Sequence, residues 1–299
     1  MTETIPQQLA EVAYQSAQDE LNEYAIYKKF SELRTRQNPE FRKTLARLAE
    51  MELKHYGFWK KFCPARKVTV NKFKLALMVL VRILLGVTFA FKFLERTESN
   101  IIAMYKEASH LVPSEDQPML QEIIKDEEEH EQEFAEQFDE PHIKYISFIV
   151  LGLADALVEI AGIHAGSLGI YNSTRLAGLA GIIAGAAASI AMASAAYAQA
   201  KAGFKGSAGL SAVYTGVSYF LTAVVLATPY FLTEMMLTAL FSSLIAAIVL
   251  IAFISFYGSI IAGTGFRKDF AEITSIMLGA TLALYLLGTV IRYLTGITI

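Results

Sequence analysis

Hydrophobic and polar positions follow different patterns on the two sides of Pro141. Before it, apolar residues recur every three or four positions, which is the spacing of amphipathic helices. After it, long stretches are apolar on every face, and each is near the length that crosses a bilayer. The pattern predicts an all-α chain, with a four-helix bundle in residues 1–140 and a five-helix transmembrane domain in residues 141–299.

The same pattern gives approximate helix limits. In the first domain we expect helices over residues 5–36, 40–62 and 119–138, and a long apolar helix that starts near Leu75 and continues toward Tyr105. In the second domain the expected membrane spans are residues 144–166, 176–200, 208–229, 234–258 and 271–294.

Three predicted helices carry charged residues on otherwise apolar faces. The face of the second helix consists of Phe41, Leu45, Leu48, Glu52, His55, Trp59 and Phe62. The face of the last helix consists of Leu120, Ile123, Glu127, His130, Phe134 and Phe138. On the first helix, Ala13, Ala17, Glu20, Tyr24 and Tyr27 form a comparable face, with Glu23 to its side. Because an unpaired buried carboxylate is costly, a cation that these residues share is the economical explanation.

Two of these faces contain the sequence Glu-x-x-His. Residues three apart on a helix share a face, so each sequence directs a carboxylate and an imidazole to the same side. One kind of di-metal site combines two such sequences with one Glu from each of two further helices. Glu20 precedes the first sequence, and Glu95 and Glu98 lie between the two, so the order along the chain fits such a site.

A third Glu-x-x-His sequence, Glu107 to His110, shows that the bare pattern is a weak signal. At the usual helical rise it lies about 14 to 18 Å along its helix from Glu98 and Glu95. We interpret it as an exposed helix end before Pro113. The acidic run that begins at Asp126 is likewise expected to be mostly a solvated face, apart from Glu127 and His130.

The apolar stretch from Leu75 to Leu94 has more than one interpretation. Its length suits a transmembrane helix, but Arg82 and Lys92 interrupt it, and a crossing would place the two Glu-x-x-His sequences on opposite sides of the membrane. We favour a helix that is buried in the bundle, lies in a dimer contact or lies on the membrane face. The basic segment before it, residues 60–74, either lies against anionic headgroups or forms a solvated loop.

Composition narrows the class of protein. Hydrophobic residues make up 54% of the 299 residues and charged residues 18%, which is too apolar for an ordinary soluble enzyme. Cys63 is the single cysteine, so an internal disulfide and a rubredoxin centre are both excluded. The sequence has no basic groove with interleaved aromatic residues, so we expect no nucleic-acid partner.

Basic residues near the ends of the five spans predict their orientation. With the first domain inside, the cytoplasmic side carries Lys144, Lys201, Lys205, Arg267 and Lys268, and the outer side carries Arg175 and Arg292. Because Lys and Arg concentrate on the cytoplasmic side of membrane proteins, we expect the first domain to be cytoplasmic.

The first membrane span carries two carboxylates, Asp155 and Glu159, four residues apart and therefore on one face. Counted from Lys144, Asp155 lies about 16 Å deep, near the middle of the bilayer. Such carboxylates usually mark an ion or proton path, although a protonated carboxyl that bonds between helices is the alternative. His164, further along, is expected to be hydrogen-bonded near the outer end.

The second span is rich in small residues, which let helices approach closely. They are Gly178, Gly181, Gly185, Ala188, Ala191 and Ala195. Met192 projects from this span and is either a soft ligand for a transition metal or a packing residue.

Residues 146–201 resemble the first two helices of the vacuolar iron transporter family. The family's Asp-Gly-Ile segment is represented by Asp155-Ala156-Leu157, and its Ser-Met-Ala-x-x-Glu-Tyr segment by Ile190 to Tyr197. Residues 5–138 are similar to rubrerythrin, a ferritin-like protein. Together these parts resemble the erythrin–vacuolar iron transporter fusions, also called membrane-bound ferritin.

This resemblance implies a specific set of functional residues. It implies di-iron ligation by Glu20, Glu52, His55, Glu95, Glu98, Glu127 and His130, and a transport path through Asp155, Glu159 and Met192. It also implies a homodimer in a prokaryotic plasma membrane that exports Fe²⁺ or Mn²⁺ in exchange for protons. The chain departs from the family pattern at Ala196, which replaces the motif's Glu, and in the short loop after the second span.

The sequence therefore leaves three candidate functions. The first is a proton-coupled exporter of Fe²⁺, with Mn²⁺ as a second candidate, whose bundle gathers, oxidises or senses the metal. The second is a membrane-anchored ferroxidase or peroxidase in which the spans serve only as an anchor. The third makes the bundle a regulatory sensor without turnover.

Overall fold

The computed structural model describes residues 6–33, 39–98, 101–137, 145–170 and 173–296. These residues are predominantly helical and contain no strand, which confirms the all-α fold class. The chain divides into two compact units, Met1–Phe138 and Asp139–Ile299. Each unit is described separately.

The N-terminal unit contains six α-helices within its described residues. They are α1 (Gln7–Glu32), α2 (Pro39–Phe62), α3 (Lys72–Leu85), α4 (Val87–Glu98), α5 (Ile101–Ala108) and α6 (Gln117–Gln137), with a short 3-10 helix at Ser109–Leu111. Each begins and ends within a few residues of the limits that hydrophobic spacing predicts, except in the region of α3 to α5.

The apolar faces predicted for α1 and α2 form the core of this unit. Every residue of the predicted α2 face is buried, including Glu52 and His55. On α1, the predicted face is buried apart from the half-buried Tyr24, and Glu23, which we expected to its side, is buried too. The 3.6-residue period therefore identifies the buried side of both helices, and that side carries the carboxylates.

The long helix expected from Leu75 toward Tyr105 is wrong, because Gly86 divides it. Gly86 adopts φ 93°, a conformation that glycine tolerates and other residues avoid, and its N–H bonds the carbonyl of Arg82 to close α3. Arg82 is buried, donates to the carbonyl of Phe30 and lies 4.8 Å from the centroid of that residue's ring. The charge that interrupts the apolar run is therefore held against the bundle.

The two helices on either side of Gly86 differ in burial. Most of α4 up to Leu94 is buried, whereas α3 buries only Met78 and Arg82. With 14 and 12 residues, both helices are shorter than the roughly 20 residues that cross a bilayer. Complete burial of α3 in the bundle, one of the expected alternatives, is excluded by its exposed side chains.

The described residues of the second unit form five long helices. They are α7 (Ile146–Ile170), α8 (Thr174–Lys201), α9 (Ala208–Leu232), α10 (Met236–Ala262) and α11 (Phe266–Thr295). Each is long and apolar enough to cross a membrane. The chain therefore has the character of a multi-pass membrane protein.

Glycines permit close helix contacts in the second unit. A Cβ on Gly288 of α11 would lie 2.2 Å from the carbonyl oxygen of Gly166 on α7, so the two backbones touch. On α8, Gly178, Gly181 and Gly185 are buried as the packing interpretation predicts. Ala191 and Ala195 are exposed, and in the second half of α8 the buried small residues are Ser189, Ala196 and Ala200.

Candidate metal centre and membrane carboxylates

Three helices of the N-terminal unit bring four metal-ligating side chains together. Glu20 comes from α1, Glu52 and His55 from α2, and Glu127 from α6. One ligand atom from each lies within 4.8 Å of the others. Two of the four come from one turn of α2, because the Glu-x-x-His spacing places its carboxylate and imidazole on the same side of the helix.

His55 lies at the centre of this group. Its Nδ1 is 3.0 Å from Oε1 of Glu127, 3.3 Å from Oε2 of Glu52 and 3.6 Å from Oε2 of Glu20. A single ring nitrogen carries at most one proton and cannot satisfy three carboxylates. The arrangement therefore gathers three carboxylates around one imidazole nitrogen.

Burial makes that charge costly. Glu20, Glu52 and His55 are 2%, 0% and 1% exposed. Desolvation raises the pKa of the Glu52 carboxyl well above its usual range, and the charges of Glu127 and Glu20 raise it further. For His55, burial alone would lower the pKa, but the neighbouring carboxylates of Glu127, Glu20 and Glu52 outweigh burial and raise it. Without a metal the group retains protons, and a divalent cation would take their place.

Two further residues support this group. Tyr105 of α5, fully buried, donates a hydrogen bond of 2.5 Å to Oε1 of Glu20. Oδ2 of Asp126 lies 3.4 Å from Nε2 of His55, on the far side of the ring from Nδ1. If Nδ1 bound a metal, Nε2–H would donate to Asp126, which is the usual way in which a carboxylate orients a ligating imidazole.

Sequence reasoning missed both supporting residues. Asp126 was assigned to a solvated acidic face, but it is half-buried and contacts His55. Its position next to Glu127 gives no signal, because consecutive helical residues do not share a face. Tyr105 carries no sequence signal, because only the packing of α5 brings its hydroxyl to Glu20.

The remaining predicted ligands lie partly outside the described structure. Glu95 and Glu98 belong to α4 and His130 belongs to α6, but their side chains are outside the described residues. The competing Glu107 and His110 are exposed, and Nδ1 of His110 bonds the backbone carbonyl of Glu107. The third Glu-x-x-His sequence is therefore apart from the buried group, as expected.

The four described donors suit iron. Three carboxylates and one imidazole form a hard, nitrogen- and oxygen-based set of the kind that binds Fe²⁺. Oε2 of Glu20 is buried and accepts no hydrogen bond within the described residues, so an acceptor is directed at the centre of the group. Four side chains can hold one ion, and a second ion would need further ligands.

The second unit also places carboxylates on a membrane helix. Asp155, half-buried, and Glu159, exposed, lie one turn apart on α7. The buried Tyr219 of α9 donates a 2.5 Å hydrogen bond to Oε2 of Glu159. A tyrosine hydroxyl directed at a carboxylate among apolar helices is a group that can pass or hold a proton.

Met192 has apolar neighbours in the described part of the chain. It is half-buried on α8 and packs against an apolar cluster that includes Ala156, Leu157 and Ile160. A groove of about 680 Å³ lies between α8 and α9, lined by residues such as Ser189, Tyr197 and Phe220. Asp155, Glu159 and Met192 do not line it.

His164 differs from its expected hydrogen-bonded state. Its ring is buried, packs 4.4 Å from the Tyr230 ring centroid and lies against Gly181. Neither ring nitrogen has a hydrogen-bond partner within the described residues. The sequence predicts hydrogen-bond partners for His164 near the outer end of the span, but the packing of the helices places its ring against Tyr230 and Gly181.

Comparison with known protein families gives a match in the N-terminal unit. Residues 11–137 match the family model described as Rubrerythrin. This match identifies a ferritin-like domain and implies di-iron binding, to which the buried Glu and His group corresponds. The resemblance of residues 146–201 to vacuolar iron transporters is not confirmed by a family match. No curated protein matches the chain, and no solved structure matches it.

Proposed function

We propose that the chain is a membrane exporter of Fe²⁺, with Mn²⁺ as a second candidate substrate, which gathers its metal in the N-terminal unit. The observation that carries the proposal is that Nδ1 of His55 faces three carboxylate oxygens within 3.6 Å in a buried site. Helices able to cross a membrane in the same chain connect metal binding to the bilayer.

In this proposal the N-terminal site holds two iron ions. Its ligands are Glu20, Glu52, His55, Glu95, Glu98, Glu127 and His130. Iron supplies the Fe²⁺/Fe³⁺ couple when bound. Asp126 orients the imidazole of His55, and Tyr105 holds Glu20 in place.

The proposed transport path uses Asp155, Glu159 and Met192. Carboxylates bind hard divalent cations, whereas the thioether of Met192 favours softer ions, so the set favours Fe²⁺ over alkaline-earth ions. Tyr219 supports a proton role, since its hydroxyl already donates to Glu159. Protonation of the carboxylates competes with the metal and releases it on the outer side.

Export needs an energy source. Moving a divalent cation out against an inside-negative potential costs about 4.6 kcal/mol per 100 mV, twice the value for one charge. Protons that enter in exchange offset this cost. We therefore propose exchange of metal for protons across a prokaryotic plasma membrane, with the N-terminal unit in the cytoplasm.

A homodimer forms part of the proposal. Glu159 is exposed on the single chain, and a charged carboxylate that faces lipid near the bilayer centre costs about 2.5 to 3.5 kcal/mol. A second copy packed against this part of α7 would remove Glu159 from lipid and enclose the path. The exposure of this carboxylate is the support for the dimer.

Flux measurements in proteoliposomes test the transporter. We expect wild type to move Fe²⁺ when a pH gradient is imposed, and Asp155→Asn to lose both metal flux and the accompanying proton flux. The control is Glu234→Gln, which removes an exposed carboxylate before α10 and should leave both fluxes intact. Unchanged Fe²⁺ flux in Asp155→Asn would contradict the proposal, and lost proton flux with retained metal flux would refute the coupling.

A membrane-anchored ferroxidase or peroxidase is the second candidate, favoured by the Rubrerythrin match at residues 11–137. It predicts that Asp155→Ala leaves cellular metal content unchanged, while Glu127→Ala abolishes Fe²⁺ oxidation. If the N-terminal unit is instead a sensor, loss of its metal alters flux, and wild type oxidises no Fe²⁺.

A further inference from the structure

The outer face of α3 consists of large apolar side chains in contact with solvent. Phe73, Leu80, Ile83 and Leu84 are 77%, 51%, 62% and 69% exposed, and Leu77 is exposed beside them. Their spacing of three, four and seven residues places them in one stripe along the helix. A stripe of this kind is unusual on a protein surface in water and indicates a surface that something covers.

The opposite face of α3 is already in use. Met78 and Arg82 are buried, and Leu75, Val79 and Val81 pack against a cluster that includes Phe30 and Phe91. The helix is also well defined, because the side chain of Asn71 accepts from the backbone N–H groups of Phe73 and Lys74 at its start. Because the inner face of α3 packs against this cluster, the outer stripe has a fixed orientation on the N-terminal unit.

The charge in the sequence on both sides of the stripe has one sign, although Asp19 of α1 interacts with Lys74. From Leu53 to Leu94 the sequence contains nine Lys or Arg residues and no Asp or Glu, although the whole chain has a net charge of -3. Lys72 is exposed in the first turn of α3, and Lys67, five residues before that helix, is exposed as well. An apolar stripe flanked by lysines matches the order of an anionic bilayer surface, where acyl chains lie beneath phosphate groups.

We propose that α3 docks on an anionic lipid surface, with Phe73, Leu77, Leu80, Ile83 and Leu84 between the headgroups and Lys67 and Lys72 against the phosphates. Its 14 residues extend about 21 Å, which is less than the bilayer core, so the helix lies along the surface. Side chains of interfacial helices reach roughly 5 to 10 Å into the headgroup and acyl boundary.

The observations favour lipid over a second copy of the chain. A two-fold contact through this face would bring the lysines of both copies together, because such a contact repeats the same surface. The sequence around α3 contains no carboxylate to pair with them. Only residues 138–145 separate α6 from α7, so a bilayer that holds α7 remains within reach of the N-terminal unit.

Site-specific fluorescence on the full chain tests the proposal. Leu80→Cys is labelled with an environment-sensitive probe after reconstitution into vesicles of phosphatidylcholine and phosphatidylglycerol. The matched control is Ala46→Cys, which is exposed on α2, and the wild-type chain with its buried Cys63 is the labelling blank. The readouts are the emission maximum and quenching by lipids that carry a nitroxide near the headgroup end of the acyl chain.

We expect the probe at position 80 to shift to shorter wavelength and lose fluorescence to the nitroxide lipid, while the probe at position 46 does neither. A probe at position 80 that behaves as if in water would overturn the proposal. A blue shift without quenching would also overturn it, because protein and not lipid would then cover the stripe.

A change of lipid tests the charge. Quenching at position 80 should weaken in vesicles of phosphatidylcholine alone, and the variant Lys67→Gln/Lys72→Gln should show the same loss in anionic vesicles. Equal quenching in both lipids would refute the assignment to an anionic surface.

Discussion

At the scale of single residues, the two nitrogens of His55 have different neighbours. Nδ1 faces Glu20, Glu52 and Glu127, whereas Nε2 faces Asp126. This division fixes one tautomer for a metal-bound imidazole, because the nitrogen that binds the metal cannot carry the proton. The imidazole ring of His55 therefore lies between these three carboxylates and Asp126.

Replacing Asp126 tests this coupling. Asp126→Asn keeps an acceptor near Nε2 but removes the charge, so we expect affinity for Fe²⁺ to fall by about 10- to 100-fold. Anaerobic titration of the metal-free chain measures it. Glu129→Gln removes an exposed carboxylate of the same helix and should leave the affinity unchanged; equal losses in both variants would indicate a general charge effect.

The raised pKa values of Glu52 and His55 predict how pH affects the metal-free chain. Both groups keep protons in the folded state that the unfolded chain gives up near its ordinary values of 4.5 and 6.5. Folding therefore binds protons, and the free energy of unfolding falls as pH rises above these values. We expect the melting temperature of the metal-free protein to decrease from acidic to mildly alkaline pH.

Glu52→Gln provides the comparison, because a glutamine side chain resembles the protonated carboxyl. Its melting temperature should depend less on pH than that of wild type, and metal should stabilise wild type more at higher pH because the ligands bind as deprotonated groups. A wild-type melting temperature that rises with pH in the absence of metal would contradict the assignment.

At the scale of helices, glycines decide where elements end and how closely they pack. Gly86 ends α3 through its positive φ, which turns one expected helix into two. Gly166 and Gly288 bring the backbones of α7 and α11 together. In both cases the missing side chain permits a geometry that hydrophobic periodicity does not reveal.

A pair of substitutions in α11 tests the second case. Gly288→Ala would place a Cβ 2.2 Å from the carbonyl oxygen of Gly166, so α7 and α11 must separate, and we expect a lower melting temperature in detergent. Gly279→Ala meets nothing within 4 Å and should be neutral or slightly stabilising, because alanine favours helix over glycine. Similar results for both variants would show that the close contact does not limit stability.

At the scale of the whole molecule, we expect the two ends of the chain to lie on opposite sides of the membrane, as an odd number of spans requires. Five described helices are able to cross, and Lys201, Lys205, Arg267 and Lys268 lie at alternate helix connections. Because Lys and Arg concentrate on the cytoplasmic side, these positions predict a cytoplasmic N-terminal unit and an outer position for the residues after α11.

Reporter fusions check this orientation. Alkaline phosphatase fused after Ile299 should be active, because it folds only outside the cytoplasm, whereas a fluorescent protein fused before Met1 should fluoresce. The same phosphatase fused in the α8–α9 connection, after Lys205, should be inactive. Phosphatase activity at Lys205 together with inactivity after Ile299 would reverse the orientation.

Several features could be predicted from the sequence alone because they depend on periodicity and length. The buried faces of α1 and α2 and the five long apolar helices follow from local spacing. The Glu-x-x-His spacing also placed Glu52 and His55 on one side of α2, since that relation is set within one turn.

Tertiary structure decided which of these residues meet across helices. The contacts of His55 with Asp126 and Glu127, the hydrogen bond from Tyr105 to Glu20 and the end of α3 at Gly86 all join or redirect separate elements. Local periodicity specifies which way a side chain faces on its own helix, but the distance between two helices depends on how their surfaces pack. The exposure of the outer stripe of α3 was decided in the same way, because one helix alone does not determine which of its apolar faces the fold will cover.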